Sequence, residues 1–327
     1  MYSSKDLIDR FKHYEGQRYY WDTHYQDLAD YMLPRKADIV RQRSKGEKRM
    51  ELIFDGTALQ AVDLLASSLH GMLTSGASAW FHLTLKDEEL GRDEEVQRWL
   101  EDTSQRMMRA FNVSNFETEI HEMYVDLVVF GTGCMFVEMD EESLRFSTRH
   151  ISEFYIAEDQ FGLVDTVFRK YKIPARQAVQ RFGIESVGDF IAKKFDKKPD
   201  EEVEILHVVV PREERDVTKI DNKNMPFASL YIDMETKQTM TESGFEEFPY
   251  VVPRFLKATG EIMGRSPAMV ALPDVKMLNL MSKTIIQAAQ KQIDPPLLVP
   301  DDGFLLPVRT QPGGLNFFRS GTRDTIT

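Results

Sequence analysis

From Asp274 to Ile293 the chain is apolar or small around most of a helical circumference, with one narrow polar stripe. Such a helix must be covered on several sides. Ser266 can cap it, with Pro267 at the first helical position. Pro273 disfavours helical geometry at Leu272, which predicts a kink or a restart there. The 20 residues from Asp274 to Ile293 span about 30 Å of helix. Lys276, Asn279, Lys283, Gln287 and Gln290 recur at spacings of three and four and make the stripe. Val275, Met277, Leu278, Leu280, Met281, Ile285, Ile286, Ala288 and Ala289 fill most of the remaining arc. The segment is too charged to cross a membrane. Two arrangements satisfy it: the central helix of one domain, or a helix packed between copies of itself in a ring, with the stripe towards a water-filled lumen.

The rest of the chain divides by texture. The first third reads as helices, over Asp6 to Leu33, from a cap at Asp55 through Leu73, through Trp99 to Phe111, and from Phe116 to Phe130. Gly131 and Gly133 read as a helix C-cap and a turn into a strand. "AWFHLTL" reads as a strand between the helices. From Cys134 short strands dominate, in "CMFVEMD", "SLRFSTR", "EFYIAED", "VDTVFRKYKI", "VEILHVVVP", "FASLYIDM" and "YVVPRFLKA". Two short helices, "PARQAVQRFG" and "VGDFIAKKF", interrupt them. The last stretch, from Asp294, has proline breaks and reads as extended. The fold class expected is α+β. The end of the chain, with no cap or polar tail, suggests a portion of something longer.

Chemistry is hard to find. His121-Glu122 begins like a zinc-binding helix, but Val125 stands where the second histidine should be. In "GMLTSGAS" Ala77 stands where a phosphate-binding loop needs lysine, and "GTGCMF" lacks the third glycine of a dinucleotide fingerprint. No G-x-S-x-G elbow occurs, and the one cysteine, Cys134, reads as a buried apolar residue with no sequence neighbour to activate it. One cysteine excludes an internal disulfide and fits a reducing compartment. No signal peptide or apolar run of about 18 residues appears, so a soluble intracellular chain is expected. We expect no catalytic residues, no metal and no cofactor.

The net charge of −12 argues against a protein that grips nucleic acid by its phosphates. Charge is nonetheless unevenly laid out. A basic loop runs from Arg35 to Arg49 and an acidic segment from Asp87 to Asp102. Rings are built from heterologous contacts, in which one patch meets a different patch on the next copy. Arg35, Lys36, Arg41 and Arg43 on one side, and Asp87, Glu88, Glu94 and Glu95 on the other, are candidates for that pair. Two separately solvated loops, or a basic loop that touches phosphate, are the alternatives.

Five stretches in this order carry a family likeness: "RYYWDTHYQDLADYMLP", "IFDGTALQAVDLLASSLHGMLTSGASAWFHL", "DLVVFGTGCMFVE", "EFYIAEDQFGLVDTVFRK" and "GRSPAMVALPDVKMLNL…DPPLLVPDDG". The chain resembles the portal, or head-to-tail connector, proteins of short-tailed phages. The resemblance implies a non-enzymatic subunit of a ring, typically of twelve copies, at one vertex of the virion capsid, assembled in the host cytoplasm. Double-stranded DNA would pass through its channel without specific binding, driven by a terminase large subunit. Capsid and scaffolding proteins and tail adaptor proteins would be its other partners. Mapped on that family, residues 1–265 look like the wing-like α+β body, 266–293 like the first stem helix, and 294–327 like the start of a β-containing clip. The second stem helix and the crown have no counterpart. The clip would dock terminase and tail through candidates Asp301, Asp302, Arg309, Arg319 and Arg323. Lys276, Asn279, Lys283, Gln287 and Gln290 become channel-facing candidates. A tail or capsid adaptor ring of another kind, or a phage nuclease, are the competing readings.

Overall fold

A computed structural model describes residues 3–44, 46–87, 89–139, 143–219 and 221–293. Four helices come first: α1 (Ser4–Met32), α2 (Thr57–Leu73), α3 (Glu94–Val113) and α4 (Phe116–Phe130). Strands β1 (Met135–Met139), β2 (Leu144–Thr148), β3 (Phe154–Glu158) and β4 (Val164–Pro174) follow, then α5 (Ala175–Phe182) and α6 (Asp189–Lys197). After β5 (Glu202–Pro211), β6 (Phe227–Asp233), β7 (Thr239–Phe245) and β8 (Tyr250–Val251), helix α7 (Pro267–Ile293) leads out of the body.

The strands make two antiparallel sheets. β3 to β7 form a five-stranded meander in chain order, and a small sheet has the order β2-β1-β8. β5 is central, and its alternation sends side chains to opposite faces. Leu206, Val208 and Val210 meet Leu7, Ile8 and Phe11 at the start of α1. Val203 and Ile205 meet Ala175, Ala178 and Ile191 of α5 and α6. The largest core joins the C-terminal half of α1, α2, α4, the small sheet and the first turns of α7. Its anchor is α4, which carries Met123, Tyr124, Val125, Val128, Val129 and Phe130 into it.

Two free sheet edges are closed by side chains, which keeps them from pairing elsewhere. Asn115 receives the N–H of Phe146 on β2 at 2.9 Å and donates to its carbonyl at 2.8 Å, and Glu119 accepts the N–H of Thr148. Near β3, the buried guanidinium of Arg18 donates to the carbonyls of Ile151 and Phe154 and lies over the Tyr155 ring at 3.8 Å.

Two sequence expectations change. "AWFHLTL" forms no strand and joins neither sheet, because its aromatic rings, not its backbone, find partners. Trp80 stacks on Phe116 with centroids 5.8 Å apart, and Phe81 meets Phe111 edge-on. β7 was not foreseen, since "TMTESGF" is polar with one glycine. Gly131 ends α4 in the left-handed region, at φ 77°, as a C-capping glycine should.

Gly131 also faces Gly264, just before α7. A Cβ on either residue would fall well inside contact with the other's backbone. Gly264 N–H donates to Thr132 Oγ1 at 2.8 Å, Phe255 N–H to Gly131 O at 2.9 Å, and Ser266 Oγ to Val129 O at 2.7 Å. Ser266 Oγ also accepts the N–H of Met269, the cap expected from sequence. The helix continues through Pro273, so of the kink or restart expected there the restart does not occur.

His207 of β5 is buried between the Tyr250 hydroxyl and Ser229 Oγ, each at 3.0 Å, and stacks on Tyr231 at 4.1 Å. Burial, with Arg169, Arg181 and Arg149 nearby, holds its pKa well below 6.5. Below about pH 6.5 the unfolded chain therefore takes up a proton at this position that the folded chain does not. Its stabilising contribution is full above that pH and falls as pH drops. His207→Gln should remove up to about 1.4 kcal/mol per pH unit from the slope of stability against pH between 6.5 and 5, measured by urea denaturation. An unchanged slope would contradict this. Gly264→Ala should cost about 3 kcal/mol, in the range of overpacked cores, and a loss below about 0.5 kcal/mol would contradict the close approach.

Candidate assembly surfaces

α7 rests on the body by one side only. Ala268, Leu272 and Asn279 are its buried residues, one to two turns apart on one face. Asn279, 8% exposed, accepts the N–H groups of Phe54 and Asp55 at 2.7 and 3.2 Å and donates to Leu52 O at 2.7 Å. Lys276 pairs with Asp27 of α1 at 2.7 Å and lies over the Tyr31 ring. Lys283 lies 5.3 Å over the Phe54 ring. Lys276, Asn279 and Lys283 of the stripe thus meet the chain's own body, and Asn279 is buried there. Its amide matches the three backbone groups of Leu52, Phe54 and Asp55, which would otherwise lack partners. Periodicity located the stripe but could not say which neighbour it faced.

The opposite side of α7 is the apolar one, and it is bare. Val270 is 81%, Met277 54%, Leu280 62%, Met281 54% and Ile285 68% exposed. From Lys283 to Ile293 every residue is exposed, Gln287 and Gln290 included. An apolar surface this continuous marks a contact site.

The basic loop is mostly committed within the chain. Arg35 pairs with Glu122 at 2.8 Å, Lys36 with Asp126 at 2.6 Å and Glu122 at 3.0 Å, Arg43 with Asp30 at 3.3 Å, and Arg49 with Asp38. Burial pushes the Asp126 carboxyl above its usual range, while Lys36 pulls it back down. Arg35, Lys36 and Arg43, candidates for contact with another copy, are thus paired within the chain with acids of α1 and α4. Arg41 is exposed and has no acidic partner among the described residues. The loop's backbone is held by Gln26, whose buried Oε1 accepts the N–H groups of Ile39, Val40 and Arg41.

The acidic segment stays open. Asp87 closes a turn by accepting the N–H groups of Glu89 and Leu90, and Asp93 caps α3. Glu94 pairs with Arg98 on the surface at 3.2 Å, a link of little energetic weight. Glu95 is exposed. Beside this segment, a groove of about 930 Å³ lies between residues 76–92 and α3. Glu88, Asp301, Asp302, Arg309, Arg319 and Arg323 lie outside the described residues.

Among the described residues no group of three or more His, Cys, Asp or Glu is arranged to hold a metal, and no helix is long and apolar enough to cross a membrane. Cys134 is fully buried and its thiol pKa is pushed up by burial.

Residues 4–327 match the family model described as bacteriophage head to tail connecting protein. The chain is 34% identical over 318 residues to a probable portal protein of Bordetella phage BPP-1, covering 96% of this chain and 57% of that protein. It is 33% identical over 301 residues to a portal protein of Salmonella phage epsilon15, covering 90% of this chain and 54% of that one. The chain therefore spans little more than half the length of these relatives.

Removing Asn279 tests how α7 is fixed. Asn279→Ala should cost about 1–3 kcal/mol by leaving two N–H groups and a carbonyl unpaired. Amide exchange at Phe54 and Asp55 should quicken with it. Unchanged exchange there would show that Asn279 does not hold the segment.

Proposed function

We propose that this chain, which belongs to the family of bacteriophage head-to-tail connecting proteins, is a portal subunit that joins copies of itself into a ring at the capsid vertex. The observation that carries the ring is the bare apolar face of α7, backed by a polar face already bound to the subunit's own body. Its exposed arc is wider than one neighbouring helix covers, so neighbours on more than one side are called for. The division into a body over 1–265, a stem helix over 266–293 and a clip over 294–327 belongs to the same reading.

In such a ring, double-stranded DNA passes through the centre, driven by a terminase, and tail and capsid proteins meet the outer parts. A wall that moves DNA should hold it weakly, and the net charge of −12 suits this, since like charge repels the duplex. Of the five stripe residues, Gln287 and Gln290 are exposed and have no hydrogen-bond partner among the described residues, and they keep the channel-facing role in this proposal. The subunit acts by geometry and charge and needs no catalytic group. The clip residues Asp301, Asp302, Arg309, Arg319 and Arg323 remain the docking candidates.

Changing Met277 and Met281 together to Asp separates assembly from folding. Both side chains are more than half exposed in the subunit. The double variant should keep its stability within about 0.5 kcal/mol. Rings seen by sedimentation velocity and negative-stain microscopy for the parent should be lost. Rings of unchanged size and yield would sink the proposed role of this face.

A further inference from the structure

We propose that the open segment Ala79–Leu85, with the groove beside it, receives the loop around Arg41 from a second copy of this chain. This contact rests on the ring reading and names one interface within it.

The first observation is the backbone of the segment. Among the described residues only one of its backbone groups has a partner in the chain, the N–H of Leu83, which donates to Ser104 Oγ at 2.9 Å. A backbone left unpaired is open to pairing with another chain. Elsewhere this protein closes such edges, with Asn115 and Glu119 on β2 and Arg18 beside β3. Here it does not. The segment is also held in place before any partner arrives, by the packing of Trp80 and Phe81 on Phe111 and Phe116. A surface ordered in advance loses less freedom on binding.

The second observation is the groove itself. Phe81, Leu83, Leu85, Leu100 and Met108 give it an apolar lining, and Asp87, Glu101, Arg92 and Arg109 are the charged residues along it. The groove's own lining is balanced, two acids to two bases, and the described residues of the adjoining stretch 86–102 add an acidic excess, so an incoming segment should carry apolar and basic groups together. The loop around Arg41 does. Val40 is 58% exposed, Arg41 and Lys48 are exposed, and Met50 is more than half exposed. Arg35, Lys36, Arg43 and Arg49 are tied to acids of the same chain, and Gln26 fixes the backbone at residues 39–41. It is a rigid basic projection, not a floating tail.

The third observation is placement. The loop lies against the N-terminal half of α2, where it lines a cleft with Leu59 and Asp63, and the groove follows the C-terminal end of the same helix. α2 has 17 residues, about 25 Å of helix. Two complementary surfaces at opposite ends of one helix fit a head-to-tail contact better than a two-fold one.

Cross-linking between two different variants tests this. Chains carrying Arg41→Cys and chains carrying Glu101→Cys, with tags of different size, are mixed under assembly conditions and oxidised. Cys134 is fully buried and stays out of the reaction. The expected product is a mixed-tag disulfide dimer that neither variant forms alone. Adding Thr84→Pro to the Glu101→Cys chain should abolish it without unfolding the subunit, because the Thr84 N–H has no partner within the described chain. Oligomers that sediment like the parent but yield no mixed-tag bond, or yield same-variant bonds, overturn this interface and leave the ring standing. A chain that stays monomeric at every concentration contradicts both.

Discussion

Everything that leaves the body of this protein passes through the contact between Gly131 and Gly264. The C-terminus of α4 and the entry to α7 touch backbone to backbone, with no room for a side chain on either residue. Hydrogen bonds from Gly264, Phe255 and Ser266 to Thr132, Gly131 and Val129 then fix the angle at which α7 departs. Because α4 sits in the largest core, the direction of α7 is set by the best-buried element of the fold.

The anchored helix then shows why a polar stripe and an apolar face coexist on it. Lys276, Asn279 and Lys283 are used within the subunit, on Asp27, on residues 52–55 and on the Phe54 ring. The apolar side has no use in the isolated subunit, and water is a poor neighbour for it. In the ring proposed above, contact between copies would give this face its use. The same division recurs in the basic loop, where Arg35, Lys36, Arg43 and Arg49 brace the subunit and Arg41 points away from it.

Much of this was legible in the residues, for reasons of local chemistry. The Ser266 cap, the C-capping role of Gly131 and the helical stripe follow from rules acting over four residues, and all three are found. β5 was readable because its alternating apolar side chains are buried on both faces. What escaped was long-range. The partner of Asn279 lies more than two hundred residues earlier, and nothing in helical spacing points to it. "AWFHLTL" has every local mark of a strand, yet strands are defined by a neighbour, and its neighbours offered aromatic rings. The basic loop looked free because its acids, Glu122 and Asp126, lie on a helix some ninety residues away. Periodicity tells which residues share a face; only the fold tells what that face meets.

The central claim is that the apolar side of α7 is the side other copies cover, while Asn279 stays docked on its own subunit. A cryo-electron microscopy map of the assembled protein tests it most directly. The account predicts a ring in which Met277 and Met281 pack against a neighbouring helix and the Asn279 side chain still joins the backbone at residues 52–55. A ring in which Asn279 and Lys276 face the lumen, with Met277 and Met281 bare to solvent, would contradict it.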